Sequence, residues 1–204
     1  MTLLHIDSSI LGPHSASREL TAAIVARQKA LNPGLDVVYR DLDSDPALHL
    51  SGNHMAAFQG AAVTDAALGD DLAKGNAYVD ELFAAEVIVI GAPMYNFTIS
   101  SQLKAWIDRV VVAGKTFRYT ETGSVESLLP KGKKVIIASS RGGLYGEGAP
   151  AAALEHHESY LIGVLGFIGL TDVTVIRAEG LAMGPDAKAA SLSKAHGEIA
   201  ALAA

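Results

Sequence analysis

Val87-Ile88-Val89-Ile90 is a run of four β-branched residues with no polar residue between them, and Val135-Ile136-Ile137 repeats the pattern further along the chain. A strand with one face in water alternates apolar and polar residues, whereas a parallel strand covered by helices on both faces does not. We therefore expect both segments to be central strands of a parallel sheet.

On either side of these runs, short aliphatic segments alternate with longer segments of helical period, which is typical of repeated β-α units. The sequence predicts five strands, at Leu3 to Asp7, Asp36 to Arg40, Val87 to Gly91, Lys134 to Ser139 and Asp172 to Ile176. The predicted fold class is α/β, a five-stranded parallel sheet with helices on both faces. A chain of 204 residues is long enough for one substantial core, so we expect residues 1–204 to form a single domain.

Helical periodicity predicts helices in the longer segments between the strands. A first helix is expected from Ser17 to Leu31, and a last one from Asp186 to Ala203. The stretch from Pro46 to Gly75 has weak periodicity, and we expect it to be a long connection that merges into a helix ending near Ala85. The sharpest apolar stripe, spaced i, i+3, i+4, i+7, i+8, predicts a helix packed on the sheet with its tryptophan in the core; its residues are Leu103, Trp106, Ile107, Val110 and Val111.

Composition limits the chemistry. The 16 basic and 22 acidic residues give a net charge of -6, and no basic stretch is longer than Lys131-Gly132-Lys133-Lys134, so we expect no nucleic-acid partner. We expect that stretch to be a solvated turn before the fourth strand. Without cysteine, disulfides, Cys-ligated metals and thiol nucleophiles are excluded. No apolar run approaches the roughly 20 residues that span a bilayer, and the start MTLLHIDSSI is not basic, so we expect a cytosolic protein. Any redox chemistry must come from a cofactor.

The loop after the first strand, Ser8 to Ser17, is rich in hydroxyls and runs directly into a helix. Ligands of open parallel sheets bind beyond the carboxyl ends of the strands, where serine hydroxyls and the free N–H groups of a helix N-terminus can hold a phosphate. Ser15 or Ser17 would equally serve as an ordinary helix cap, and the local sequence supports the two interpretations about evenly. The loop matches neither G-x-x-x-x-G-K-[ST] nor G-x-G-x-x-G, which favours a mononucleotide over ATP or a dinucleotide.

Two more loops follow predicted strands. Tyr95, Asn96 and Phe97 offer apolar contact and hydrogen bonds to a flat heterocycle, although an aromatic turn that caps the core is the plain alternative. Ser139-Ser140-Arg141-Gly142-Gly143 combines hydroxyls, one cation and two glycines that permit close backbone approach, or that serve only a tight turn. Because the carboxyl ends of parallel strands meet at one edge of the sheet, we expect all three loops to converge there.

Other polar clusters carry weaker signals. Glu155-His156-His157-Glu158 lacks H-E-x-x-H, and adjacent histidines point to different sides of a helix, so the pattern favours a solvated helical face over a metal site. G-x-S-x-G is absent, which leaves the serines without a nucleophile elbow. Asp7 and Asp41 are interpreted as polar strand ends rather than as acids or bases.

Five segments of the chain match one known family in order: Ala92-Pro93-Met94-Tyr95-Asn96-Phe97, Gln102 to Asp108, Gly114 to Thr120, Ser140-Arg141-Gly142-Gly143 and Leu165 to Val173. On these segments the sequence resembles the FMN-dependent NADH-azoreductases, and the resemblance, which covers nearly the whole chain, implies a flavodoxin-like fold.

The resemblance implies a non-covalently bound FMN and assigns roles to the loops. By it, Ser9 and Ser15-Ala16-Ser17 would bind the FMN phosphate, Met94-Tyr95-Asn96-Phe97 would line the isoalloxazine ring, and Ser140-Arg141-Gly142-Gly143 would complete the site. The implied mechanism is ping-pong, in which NADH or NADPH reduces the flavin and the flavin then passes two electrons to a quinone or azo compound. It requires no protein acid, base or nucleophile, since the cofactor carries the chemistry.

The resemblance also implies a homodimer with an active site at each subunit interface, where Pro46 to Gly75 and Thr116 to Leu129 would lie. Ser100 and Ser124-Val125-Glu126-Ser127 depart from the family pattern, and the second departure bears on substrate range. Two alternatives remain open at this point, a flavodoxin-type electron carrier and a flavin-free phosphoester hydrolase. The sequence does not choose between NADH and NADPH or name the physiological acceptor.

Overall fold

The computed structural model describes residues 1–203; residue 204, the last of the predicted domain, lies outside this range. The strands are β1 (Thr2–Asp7), β2 (Asp36–Asp41), β3 (Val87–Pro93), β4 (Phe117–Tyr119), β5 (Val125–Ser127), β6 (Lys134–Ser140) and β7 (Asp172–Ala178). The α-helices are α1 (Ala16–Leu31), α2 (Gly52–Phe58), α3 (Ala66–Ala84), α4 (Ser101–Val110), α5 (Glu158–Phe167) and α6 (Pro185–Ala200), with short 3-10 turns at Gly12–His14 and Ala152–Leu154.

Five of these strands form one parallel sheet in the order β2-β1-β3-β6-β7. They are the five predicted strands, each within two residues of its expected ends. All seven residues of β3 are buried, as are all of β6 except Lys134. The prediction that two uninterrupted apolar runs form the central strands is therefore confirmed.

Helices cover both faces of the sheet, and alternate residues of each strand serve the two cores. Ile88 and Ile90 of β3 pack with the layer formed by α3, α4 and α5. Val87 and Val89 point to the opposite core, which contains α1 and α6. Trp106 of α4 is fully buried in the first core, as its apolar stripe predicts. The expected α/β fold class is confirmed; the single-domain boundary stays a prediction.

The stretch from Pro46 to Gly75 merges into a helix that ends at Ala84, as predicted, but it is not one long connection, because α2 and the beginning of α3 lie within it. Asp65 caps α3 by accepting the N–H of Ala67 at 2.9 Å. The short helix α2 depends on buried polar contacts, since His54 Nε2 lies 3.1 Å from Asp71 Oδ2. Such contacts between distant segments leave no periodicity in the sequence.

Lys133 corrects another expectation. The stretch from Lys131 to Lys134 is not wholly a solvated turn, because Lys133 is buried and its ammonium donates to the carbonyl oxygens of Phe83, at 2.7 Å, and Ala85. Burial lowers the pKa of Lys133. The residue thus satisfies carbonyl groups at the C-terminal end of α3, which a helix cannot bond internally.

The segment from Thr116 to Leu129 contains the antiparallel hairpin of β4 and β5. Within residues 1–203, none of the helices combines the length and the apolar character needed to cross a bilayer. The cytosolic location stays a prediction.

Candidate functional site

The loop after β1 is tied to the loop after β3 by hydroxyl groups. Ser8 Oγ donates to the carbonyl of Gly91 at 2.8 Å. Ser9 Oγ lies 3.0 Å from the phenol oxygen of Tyr95 and accepts the N–H of Leu11 at 3.3 Å. Ser8 and Ser9 are fully buried, so the two loops form one fixed surface at the carboxyl edge of the central strands.

Ser15 caps α1. Its hydroxyl accepts the N–H of Arg18 at 3.3 Å and lies 3.0 Å from the hydroxyl of Ser17, which is buried beneath the turn. The capping interpretation is therefore confirmed. It is compatible with an anion site, because the cap uses one N–H of the first turn and the preceding N–H groups have no intrahelical partner.

The loop after β3 is a strained two-residue turn. Tyr95 and Thr98 exchange backbone hydrogen bonds of 2.9 and 3.1 Å, and between them Asn96 and Phe97 adopt φ values of +46° and +72°. Positive φ is uncommon outside glycine and is an outlier for a residue as bulky as phenylalanine. Backbone strain of this kind persists where the surrounding structure holds it, frequently at ligand sites.

The loop after β6 is held by its neighbours on both sides. The carbonyl of Ser140 accepts the N–H of Met94 at 2.8 Å, which links this loop to the loop after β3. The carbonyl of Gly143 accepts the N–H of Gly180 at 3.0 Å, which links it to the loop after β7. The ring of Phe97 meets Tyr145 edge-on at a centroid distance of 6.1 Å, so an aromatic contact also joins the two loops.

Two adjacent cavities open where the three loops meet. The smaller cavity, about 250 Å³, is lined by eight of the predicted residues, namely Ser9, Ser15, Ala16, Met94, Tyr95, Ser140, Arg141 and Gly142. The larger cavity, about 790 Å³, is lined by Asn96 and shares Met94 and Tyr95 with the smaller one. Ser17, Phe97 and Gly143 are not among the residues that line these two cavities.

Sequence reasoning missed part of the smaller cavity. Its other lining residues are Leu11, His14, Pro93, Leu181, Ala182 and Lys188. Leu181, Ala182 and Lys188 follow β7 at the same edge of the sheet. The rule that ligands bind beyond the carboxyl ends of strands would have found them, had it been applied to the fifth strand as well.

Arg141 lines the smaller cavity, but its side chain is only 2% exposed and its guanidinium is already paired. Nη2 lies 2.6 Å from Glu158 Oε1 and 3.3 Å from Glu155 Oε1. Arg177 Nε donates to the same Glu158 oxygen at 2.9 Å. The positive charge of Arg141, which the sequence suggested as a ligand contact, is therefore neutralised by carboxylates of the protein.

These contacts correct the interpretation of Glu155-His156-His157-Glu158 as a solvated helical face, because His157 and Glu158 are buried. Burial raises the pKa of Glu158, but the hydrogen bond from Arg177 and the charge of Arg141 outweigh it and hold the pKa below its ordinary value. Burial, reinforced by the charge of Arg141, lowers the pKa of His157 to about 4. Within residues 1–203, no three His, Asp or Glu side chains are grouped as a metal ion requires.

The strand order and the position of the cavities define the class of protein. In the doubly wound sheet with order 2-1-3-4-5, the flavodoxin-like arrangement, ligands bind at the β1/β3 switch point. The order β2-β1-β3-β6-β7 is the same, and Ser9 and Tyr95 meet at that point. A family model described as "Flavodoxin-like fold" matches residues 1–203.

Comparison with individual proteins is more specific. The chain is 56% identical over 203 residues to an FMN-dependent NADH:quinone oxidoreductase of Xanthomonas campestris pv. campestris, covering 99% of each sequence. It is 57% identical over 195 residues to FMN-dependent NADH:quinone oxidoreductase 2 of Bradyrhizobium diazoefficiens, covering 96% of this chain and 95% of the relative. Its structure matches that of an azoreductase from Bacillus anthracis str. Sterne with a TM-score of 0.85 and 29% identity, covering 98% and 97% of the two chains.

The chain belongs to the family of FMN-dependent NADH:quinone oxidoreductases, with a flavodoxin-like fold. The resemblance inferred from its five sequence segments is thereby confirmed.

Proposed function

We propose that this protein is an enzyme that holds FMN non-covalently in the smaller cavity and passes two electrons from NADH to quinones, with aromatic azo compounds as further acceptors. The observation that carries the proposal is the meeting of three loops at the β1/β3 switch point, on a cavity lined by residues of all three. The names of the relatives supply the cofactor and the substrates.

The phosphate end of FMN fits the N-terminus of α1. Ser9, Ser15 and Ala16 line the cavity there, and the 16-residue helix directs its N–H groups and the positive end of its dipole toward an anion. His14 and Lys188 line the same cavity and add cationic capacity in a protein of net charge -6. These donors suit a phosphate monoester.

The ring end of FMN fits the loop after β3. Met94 and Tyr95 line both cavities, so a flat ring resting on them would present one face to the larger space. Asn96 lines that space and offers an amide for ring carbonyl or nitrogen atoms. When bound, FMN supplies the two-electron redox chemistry.

Three predicted residues do not line the cavities and would act through their neighbours. The hydroxyl of Ser17 lies against that of Ser15. Phe97 and Gly143 belong to the loops after β3 and β6, which would enclose the ring. We assign Arg141 to the site through its backbone and that of Gly142, since the Arg141 guanidinium is engaged with carboxylates. No side chain is proposed as an acid, base or nucleophile.

The shape of the site supports a ping-pong sequence of the two half-reactions. The larger cavity of about 790 Å³ is one continuous space beside Met94 and Tyr95, which favours successive rather than simultaneous occupation by nucleotide and acceptor. The role of the protein is to exclude water from the ring and to position each partner over it. Lys104 and Gln102, which line this space, would meet the polar parts of both partners.

We also propose that the enzyme works as a homodimer. A third cavity of about 500 Å³ is an apolar groove lined by α2, α5 and the segment after α4. Met55 and Phe58 of α2 lie on this groove with 48% and 43% of their surface exposed. Tyr160 lines both the groove and the larger cavity, so a second copy seated on the groove would also help to enclose the acceptor space.

The test is to add FMN to the purified protein, remove free ligand, and record the visible spectrum while NADH or NADPH is added, followed by a benzoquinone or an azo dye. Retained flavin that is bleached by NADH and reoxidised by the quinone supports the enzyme, and the two nucleotides and two acceptors are ranked by rate. Retained flavin that neither nucleotide bleaches identifies an electron carrier. Protein that stays colourless contradicts the proposal and favours the flavin-free hydrolase.

A further inference from the structure

Arg18, in the first turn of α1, holds two segments at once. Its Nε and Nη2 donate to the carbonyl of Ser9 at 3.2 and 2.8 Å. Its Nη1 and Nη2 also donate to the two carboxylate oxygens of Asp41 at 2.9 and 2.6 Å. One guanidinium thus joins the loop after β1 to the end of β2.

Tyr39 and the buried Asp7, both on strands of the sheet, extend the contact between Arg18 and Asp41. Tyr39 accepts a hydrogen bond from Arg18 Nη1 at 3.2 Å and donates its own hydroxyl to Asp7 Oδ2 at 3.1 Å. Thr21 Oγ1 donates to the other Asp7 oxygen at 2.8 Å. Burial, followed by the charge of Asp7, raises the pKa of Tyr39 to about 12, so Tyr39 remains a donor at neutral pH. Asp7 and Asp41 are therefore strand ends, as predicted, that also anchor side chains of α1.

We propose that Arg18 is a positioning residue for the cofactor site, acting through the backbone of Ser9; this inference rests on the proposed FMN site. Arg18 is not among the residues that line the smaller or the larger cavity. It fixes the Ser9 carbonyl, while the Ser9 hydroxyl faces Tyr95 at 3.0 Å. The two ends of Ser9 are thereby held by α1 and by the loop after β3, which sets the direction of the hydroxyl.

The geometry requires a guanidinium. Its planar fork reaches the Ser9 carbonyl on one edge and the Asp41 carboxylate on another, and the bidentate contact with Asp41 fixes its plane. A lysine ammonium at position 18 would be a point charge without a fixed orientation. The hydrogen bond from Arg18 lowers the pKa of Asp41, so the pair stays ionised at neutral pH.

Arg27 offers a matched control on the same helix. Its Nε and Nη2 donate to the carbonyl of Leu202 at 3.2 and 2.9 Å, the same fork on a single carbonyl, but at the opposite end of α1 from the cavities. Arg27→Met and Arg18→Met each remove a guanidinium of α1 that holds one backbone carbonyl. Only Arg18→Met touches Ser9, and it also breaks the pair with Asp41.

The experiment measures the FMN dissociation constant of the full chain by flavin fluorescence, together with thermal unfolding of the flavin-free protein and kcat at saturating FMN. We expect Arg18→Met to raise the dissociation constant roughly tenfold with kcat nearly unchanged, because one charge-assisted anchor is lost. Arg18→Lys should recover part of this loss. The dissociation constant of Arg27→Met should stay within about twofold of that of the unmodified chain, even if its melting temperature falls as far as that of Arg18→Met.

Each other outcome is decisive. If the unmodified chain binds FMN and Arg18→Met binds it as tightly, the positioning role is overturned while the proposed function stands. If Arg18→Met and Arg27→Met lost equal FMN affinity, the effect would come from general weakening of α1, and the positioning role would again be overturned. If the unmodified chain binds no FMN, both proposals fail. Should Arg18→Met not fold, Asp41→Asn, which keeps the guanidinium but removes its charged partner, must raise the dissociation constant for the inference to survive.

Discussion

The phenol oxygen of Tyr95 lies 3.0 Å from the hydroxyl of Ser9, a residue 86 positions away in the sequence. The same phenol accepts the N–H of Ile10 at 3.3 Å. This contact joins the loops after β1 and β3, the two neighbouring strands at which the order of the sheet reverses. It places the ring of Tyr95 at the boundary between the two cavities proposed for FMN and its substrates.

Tyr95→Phe should weaken FMN binding while leaving the ring platform in place. Loss of the phenol removes a hydrogen bond to Ser9 and one to Ile10, and a net loss of about 1 kcal/mol corresponds to a dissociation constant roughly fivefold higher. Titration monitored by flavin fluorescence measures it. Tyr119→Phe is the control, since Tyr119 is 64% exposed on β4. Equal dissociation constants for the two variants would show that the link between the loops has no bearing on the cofactor.

Gly91→Ala should destabilise the fold at the centre of the sheet. A Cβ at position 91 would lie 2.7 Å from Asp7 Oδ1 and 3.2 Å from Thr21 Cγ2, so strand β3 and helix α1 cannot keep their present approach. We expect urea unfolding to give a free energy lower by about 1–3 kcal/mol, the usual cost of overpacking.

Gly197→Ala is the control for that experiment. Gly197 lies in α6, exposed, with no atom within 4 Å of an added Cβ, and alanine should be neutral or raise stability by up to about 1 kcal/mol. If Gly91→Ala were as stable as Gly197→Ala, the packing of Asp7 against β3 would be looser than the structure shows.

His157 should make stability depend on pH in the acid range. Its pKa falls from an ordinary 6.5 to about 4 on folding, so the unfolded chain binds the proton more readily between these values. The contribution of neutral His157 is fully present above about pH 6.5 and is lost as the pH falls toward 4, up to about 3 kcal/mol.

His157→Gln should therefore flatten the profile of unfolding free energy between pH 4 and 6.5, measured by denaturant titration at several pH values. His156→Gln, at the exposed neighbouring position, should leave the slope of the unmodified chain intact. If His157→Gln kept the same slope as His156→Gln, the pKa of His157 would not change on folding.

Phe58→Asp should dissociate the proposed dimer. The change puts a charge on the apolar groove between α2 and α5, where burial of an unpaired carboxylate is costly. Sedimentation velocity should show a shift to monomer, and quinone reduction should fall because the acceptor space loses its second wall. Ala189→Asp, on the exposed surface of α6, should leave both properties unchanged. A monomer for the unmodified chain at micromolar concentration would contradict the dimer itself.

The sheet and the location of the site could be predicted because they depend on local patterns. The aliphatic runs at Val87 to Ile90 and Val135 to Ile137 identify central strands through their missing alternation. Parallel strands put all their carboxyl ends at one edge, so polar loops far apart in the chain were expected to meet. The cavity lined by Ser9, Tyr95 and Ser140 lies where that argument put it.

Buried charges could not be predicted, because a charged side chain is stable inside a protein only beside a partner that the fold brings to it. Glu158 is buried because Arg141, just after β6, and Arg177, on β7, both reach it. Lys133 is buried because the end of α3 offers two carbonyl oxygens. By itself the sequence determined the sheet, its two helical layers and the edge at which the three loops meet. Only the tertiary structure decided which polar groups are paired within the protein and which remain available to a ligand, since pairing depends on distances between segments that no local pattern encodes.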